Sequence, residues 1–194
     1  MKKLFKINKG FTLVELMVTV GIFVMITGLL IAKYGNFNNG ILLTNLAYDV
    51  ALTIRTAQAY GLNVQSKPTD TLSFSSDFDG IYGVHFEKNT TSFILFADKN
   101  GDGIYDPAKE HVSTTNIKGG SKISEVCAAS RASCVSRASI DITFKRPEPV
   151  AIIKGTSAEG VTEKNNSYAE VTVSSRDGVT KVITVSSIGQ IAVK

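Results

Sequence analysis

The sequence predicts an α+β protein: a long N-terminal helix, apolar enough along its first half to cross a membrane, packs its second half on a mainly antiparallel β-sheet head. Three observations carry this. Between Phe11 and Ala32 the only ionisable side chain is Glu15. From Leu42 onward the apolar residues recur every three or four positions, as on one face of a helix. Beyond about Val64, short alternating runs punctuated by Gly, Asn, Asp and Pro take over, as in hairpins.

Residues 1–10 form a basic leader with Lys2, Lys3, Lys6 and Lys9 and no acid. The chain holds 21 basic and 17 acidic residues, so these four lysines account for the whole excess and the rest is formally neutral. The pI near 9.0 therefore describes the leader, and it is no sign of global attraction to nucleic acid. With 194 residues and 43% hydrophobic content, the chain is long enough for one domain with a core and an appendage.

Residues 11–34 form the transmembrane and assembly half of the helix. The 22 residues from Phe11 to Ala32 reach ~33 Å at about 1.5 Å per residue, enough to span a bilayer core. Four lysines before the run and only Lys33 just after it put the N-terminus in the cytoplasm and everything beyond Tyr34 on the other side. A cleaved secretory signal fits poorly, because the run exceeds a usual h-region, lacks an A-x-A-like site and continues into more helix. A carboxylate inside such a segment is costly unless it is shallow or partnered, so Glu15 calls for a partner.

Residues 35–61 form the amphipathic half. Leu42, Leu46, Val50, Ile54 and Ala57 make its core face, with Asn45, Asp49, Arg55 and Gln58 elsewhere around it. Gly35 and the Asn36–Gly40 stretch offer a bend, and Gly61 a C-cap. Residues 62–194 form the head. Ser66 to Asp79 reads as a loop with one short strand. Strands are expected at Tyr82–Phe86 and Thr91–Ala97, joined at Glu87–Thr90, and at Ile140–Phe144 and Val150–Ile153. The last three are expected at Ala169–Ser174, Thr180–Ser186 and Ile191–Val193, with a turn at Arg176–Gly178.

The string Lys9-Gly10-Phe11-Thr12-Leu13-Val14-Glu15, between a basic leader and an apolar run, resembles the processing motif of type IV prepilins and pseudopilins. The resemblance implies a pilin-like fold, cleavage between Gly10 and Phe11 by a membrane prepilin peptidase, and N-methylation of Phe11. It also implies that Glu15 faces the terminal amine of a neighbouring subunit in a filament, expensive alone and neutralised on assembly. Other pilins or pseudopilins and an inner-membrane assembly platform are the implied partners, with membrane lipid around the helix. Many such proteins bend the apolar run at a proline. This chain has Gly21 and Gly28 there instead, each weakening a helix by about 1 kcal/mol relative to Ala.

In the head, "YGVHF", "FILFADKNGDGIYD" and "ITVSSIGQIAV" resemble minor pseudopilins of the GspH/FimT type. Where those often close on Gly-Arg, an arginine linked to DNA binding in some members, this chain has Gly189-Gln190. That departure weakens a DNA-binding reading.

Three further groups invite chemistry. Asp98, Asn100, Asp102, the Ile104 carbonyl and Asp106 alternate like the early ligands of a calcium loop, with Glu110 one residue late to close it. A tight turn explains the same letters, so the expected cofactor is none, with Ca²⁺ as the alternative. Cys127 and Cys134, the only cysteines, favour a local disulfide in an extracytoplasmic head. It would staple a Ser/Ala-rich loop and contribute about 2.5 kcal/mol in the chain-entropy model. Lys118, Lys122, Arg131, Arg137, Lys145 and Arg146 form a basic stretch that would contact DNA, or else a solvated loop.

No Ser/His/Asp set, nucleotide loop or carboxylate pair stands out, and neither His85 nor His111 has companion ligands in sequence. The expectation is a non-enzymatic structural subunit of a type IV pilus, type II secretion pseudopilus or competence filament, stored in the cytoplasmic membrane with its head outside. A DNA-binding tip pilin and a monomeric membrane-anchored domain are the alternatives.

Overall fold

In a computed structural model, residues 10–63, 80–129, 133–163 and 166–194 are described, without the side chains of 32–38. The strand expected within residues 66–79 lies outside them. The first element is helix α1 (Leu13–Leu62). The chain divides into two compact units, Met1–Asn38 and Asn39–Lys194.

In the first unit, Leu13–Ile31 has a mean hydropathy of 2.4 and none of it is buried by protein. The hydroxyls of Thr19 and Thr27 donate back to the carbonyls of Leu16 and Phe23 at 2.9 and 2.7 Å. The span therefore satisfies these polar side chains internally, as a lipid environment requires.

In the second unit, α1 from Asn39 onward packs on two sheets whose strand pairings are all antiparallel. Strands β1 (Ile81–Glu87), β2 (Ser92–Asp98), β3 (His111–Asn116), β6 (Ser139–Phe144), β7 (Ala151–Thr156) and β8 (Thr162–Glu163) form a six-stranded sheet in the order β3-β2-β1-β6-β7-β8. Strands β4 (Lys122–Ala129), β5 (Val135–Ser136), β9 (Tyr168–Ser174), β10 (Thr180–Ser186) and β11 (Ile191–Val193) form a second sheet in the order β11-β10-β9-β4-β5. The sequence reading expected one sheet. It missed β3, which is polar and almost wholly exposed, and β4, whose Ser, Cys and Ala side chains give no alternating signal.

Both sheets turn alternate residues toward α1. Val84 and Phe86 of β1, Ile140 and Ile142 of β6, Val171 of β9 and Ile183 of β10 are fully buried, each stabilising the fold by about 1.5–3 kcal/mol if it is otherwise exposed. The helix meets them with Leu43, Leu46, Ala47, Val50, Ile54 and Ala57. Leu42, expected on this face, is instead 41% exposed while Leu43 is 1% exposed, because residue 43 keeps step with 46, 47, 50 and 54 on a 3.6-residue repeat. The helical assignment continues through Gly35 and Asn36–Gly40 without a break. Gly61 lies inside the last turn, where a Cβ would stand 2.4 Å from the Phe144 carbonyl oxygen. Its role is close packing and not a left-handed cap.

At the C-terminal end of this helix, Gln58 Nε2 donates to the carbonyls of Pro149 and Gly189 at 3.2 and 3.3 Å. Gly189 has φ 85° in the β10–β11 turn, and a Cβ there would lie 2.1 Å from the Pro149 oxygen. Gly178, in the β9–β10 turn, has a similar φ of 81° but open space around it. Gly189→Ala is expected to destabilise the fold by about 3 kcal/mol, against about 1 kcal/mol for Gly178→Ala, in paired urea unfolding curves. Equal losses would mean that backbone conformation alone, without crowding, accounts for both.

Candidate functional site

The start of α1 is open to solvent. Gly10, Phe11 and Thr12 precede the helix and are exposed, Phe11 by 71%. Nothing lies within 4 Å of a Cβ placed on Gly10. The Glu15 amide donates to Thr12 Oγ1 at 3.2 Å and the Leu16 amide to the Thr12 carbonyl at 3.1 Å, so Thr12 is the N-cap. Thr12-Leu13-Val14-Glu15 is thus a capping-box sequence, with Glu15 at its third helical position. A carboxylate there also complements the helix dipole. This second role of Glu15 was readable from T-x-x-E and is absent from the sequence reading above. The leader lysines lie outside the described residues.

Along the second unit, the exposed helix surface mixes apolar Tyr48 and Leu52 with Asn45, Asp49 and Arg55. Tyr48 and Leu52 are 61% and 63% exposed. With Asp49, Ala51, Arg55, Ile191 and Val193 they line an open groove of about 380 Å³ between α1 and the edge strand β11.

The acidic segment after β2 folds back over the outer face of the six-stranded sheet. Asp98 is buried, its two oxygens accepting the amides of Gly101 at 2.6 Å and Gly103 at 2.8 Å. Buried Glu110 accepts the amides of Lys99 and Asp106, both at 3.0 Å. Asn100 accepts the Asp102 amide, Asp102 that of Ile104, and Asp106 that of Ala108. The Lys154 side chain packs against Gly103, its Nζ 3.3 Å from where a Cβ would stand. Tyr105 lies on His85 and Phe96 with ring centroids 5.1 and 5.4 Å away, and His85 Nδ1 is 2.7 Å from buried Asp141. Burial, then the charges of Asp106 and Glu110, push the Tyr105 hydroxyl above its ordinary pKa.

Among the described residues, one group of three His, Cys, Asp or Glu side chains brings its ligand atoms within 4.8 Å of one another. It is Cys127, Cys134 and Glu170. The two sulfurs are already joined as a disulfide. Cys127 lies in β4, so the staple closes a loop that leaves a strand instead of a wholly irregular segment.

The basic stretch does not form one surface. Lys118 and Lys122 are exposed, and Asn89 Oδ1 accepts from Lys122 at 3.4 Å. Lys145 and Arg146 follow β6 beyond Phe144, which pairs with Tyr82 at the other end of β1. Arg137 is buried and ion-paired with Glu163. Arg131 lies outside the described residues.

Residues 5–31 match the model of the prokaryotic N-terminal methylation motif. The chain therefore carries a type IV prepilin-like N-terminus, with the processing by a prepilin peptidase and assembly with other pilins that this motif implies. No curated protein and no solved structure matches it.

The two sheets are also joined by charge. Lys88 after β1 pairs with Glu125 of β4 at 2.6 Å, and Ser136 of β5 donates to the same carboxylate. Burial alone would raise the Glu125 pKa. Hydrogen bonds from Lys88 and Ser136, the Lys88 charge and the Val126 amide together hold it below its ordinary value. A depressed carboxylate stabilises the fold above its unfolded pKa and loses that contribution as pH falls through the lower folded value. In thermal melts across pH, the advantage of wild type over Glu125→Gln should be constant above about pH 5, shrink as pH falls through the ordinary carboxylate range, and be lost only below the depressed folded value. An advantage that persists in acid would contradict the paired-carboxylate account.

Proposed function

We propose that this protein is a structural subunit of an envelope filament: a type IV pilus, a type II secretion pseudopilus or a competence fibre. The observation that carries the reading is the methylation motif at an exposed, pre-capped helix start, with Glu15 one turn in. In this reading the leader is cut at Gly10, Phe11 becomes a methylated cationic terminus, and the Glu15 carboxylate neutralises the terminus of a neighbour. The exposed Tyr48 and Leu52 support it, as two large apolar side chains that the head leaves uncovered for a neighbouring subunit. No catalytic step is assigned. The head's resemblance to minor pseudopilins favours a minor subunit.

Intact mass and N-terminal analysis of the protein from its native host should give N-methyl-Phe11. Gly10→Val should remain full length. Glu15→Gln should be processed normally yet enter filaments at least ~tenfold less, as for a lost contact of about 1.4 kcal/mol. An uncut chain in cells with active peptidase would favour the monomeric anchored alternative. The DNA-tip alternative draws little support from a dispersed basic stretch and Gly189-Gln190.

For the acidic loop we favour a self-contained turn over a Ca²⁺ site. Its carboxylates are occupied by backbone amides, and the Lys154 side chain packs against the loop. Millimolar Ca²⁺ or a chelator should shift the melting midpoint by less than ~1 °C. A rise of several degrees with Ca²⁺ would make the loop a cation site.

A further inference from the structure

The corner of the head where α1 enters carries charge that the sequence disperses. Gly119, in the β3–β4 loop, lies against Leu42, with Leu42 Cδ1 3.5 Å from a Cβ placed there. Gly120 lies against Arg176 of the β9–β10 turn, whose Cβ would be 3.7 Å away. Lys122 pairs in register with Ser174, two residues before Arg176. Lys118, Lys122 and Arg176 are all exposed. The nearby acid, Asp177, is hydrogen-bonded to Asn39 Nδ2, so it is held to the helix.

Apolar side chains lie among these cations. Ile41 is 45% exposed, Leu42 41% and Val179 52%. Cations interleaved with exposed aliphatic groups make an interfacial surface: the cations meet phosphates while the aliphatic groups enter the headgroup boundary.

The chain itself brings such a partner near. The apolar span ends at Ile31 and the head unit starts at Asn39. Eight residue steps reach at most about 29 Å even fully extended, and less as helix. Resting on the membrane-anchored reading above, we propose that Lys118, Lys122 and Arg176, with Ile41, Leu42 and Val179, form a docking surface for anionic phospholipid headgroups. It holds the head of the membrane-stored subunit against the bilayer before assembly. Extraction into a filament then has to break this contact, so lipid charge competes with assembly. The attraction is worth about fivefold per basic side chain near an anionic surface and decays over ~8 Å at physiological salt.

The test uses the full chain in nanodiscs of phosphatidylcholine, with or without phosphatidylglycerol, followed by amide hydrogen exchange. Peptides covering 117–122 and 175–179 should exchange ~tenfold more slowly with phosphatidylglycerol. High salt should remove the difference. A variant with Lys118→Gln, Lys122→Gln and Arg176→Gln should also remove it, with the 13–31 span still protected. If that variant melts early, the salt series on wild type stands as the test. Equal exchange of the loops in both lipids, with the span protected, overturns this proposal and leaves the anchor intact. An unprotected span in both lipids overturns the anchored reading itself. Protection of the loops by duplex DNA in phosphatidylcholine discs, with none from phosphatidylglycerol, would reassign the surface to nucleic acid.

Discussion

The head depends on one narrow strip of helix. Leu43, Leu46, Ala47, Val50, Ile54 and Ala57 give both sheets a common surface. The two alanines matter as much as the larger residues, since a small side chain lets strands approach the helix axis. From that contact the rest follows. Each sheet must turn its alternate residues inward, the hairpins must close in fixed register, and the Gln58 and Gly189 contacts fix where the last turn can rest on the helix.

The outer face of the six-stranded sheet shows how polar groups are buried at low cost. Asp98 and Glu110 sit at 2% exposure, yet each receives two backbone amides. A carboxylate so bonded satisfies donors that would otherwise be stranded in the loop. Asp141 is buried beside His85, whose ring Tyr105 covers. The loop is therefore a cover with its own polar skeleton, and its Asp, Asn and Gly spacing serves backbone geometry.

What could be read from the residues followed the strength of each local signal. Tyr82–Phe86, Thr180–Ser186 and Ile191–Val193 alternate cleanly and sit within or at the limits of β1, β10 and β11. The apolar span and the methylation motif were equally plain, because both are written in local sequence. β4 was hidden because Ser, Cys and Ala are not strand formers. It is held by pairing with β9 and β5 and by contact with β1, β6 and β7 of the other sheet. Leu42 was misplaced by one residue because Ile41, Leu42 and Leu43 give three adjacent candidates for one face, and only packing chooses among them. Arg176 joined Lys118 and Lys122 through chain reversal, which spacing in sequence does not reveal.

The cap on α1 belongs to Thr12, downstream of the Gly10–Phe11 bond. In the proposed maturation, removal of the leader leaves this capping contact in place. The proposed cut changes the amount and position of positive charge: a lysine-rich tail disappears and a single amine appears beside the Glu15 turn. On the proposed reading, maturation is then a change of charge at the chain end, with no refolding of the first helical turn to wait for.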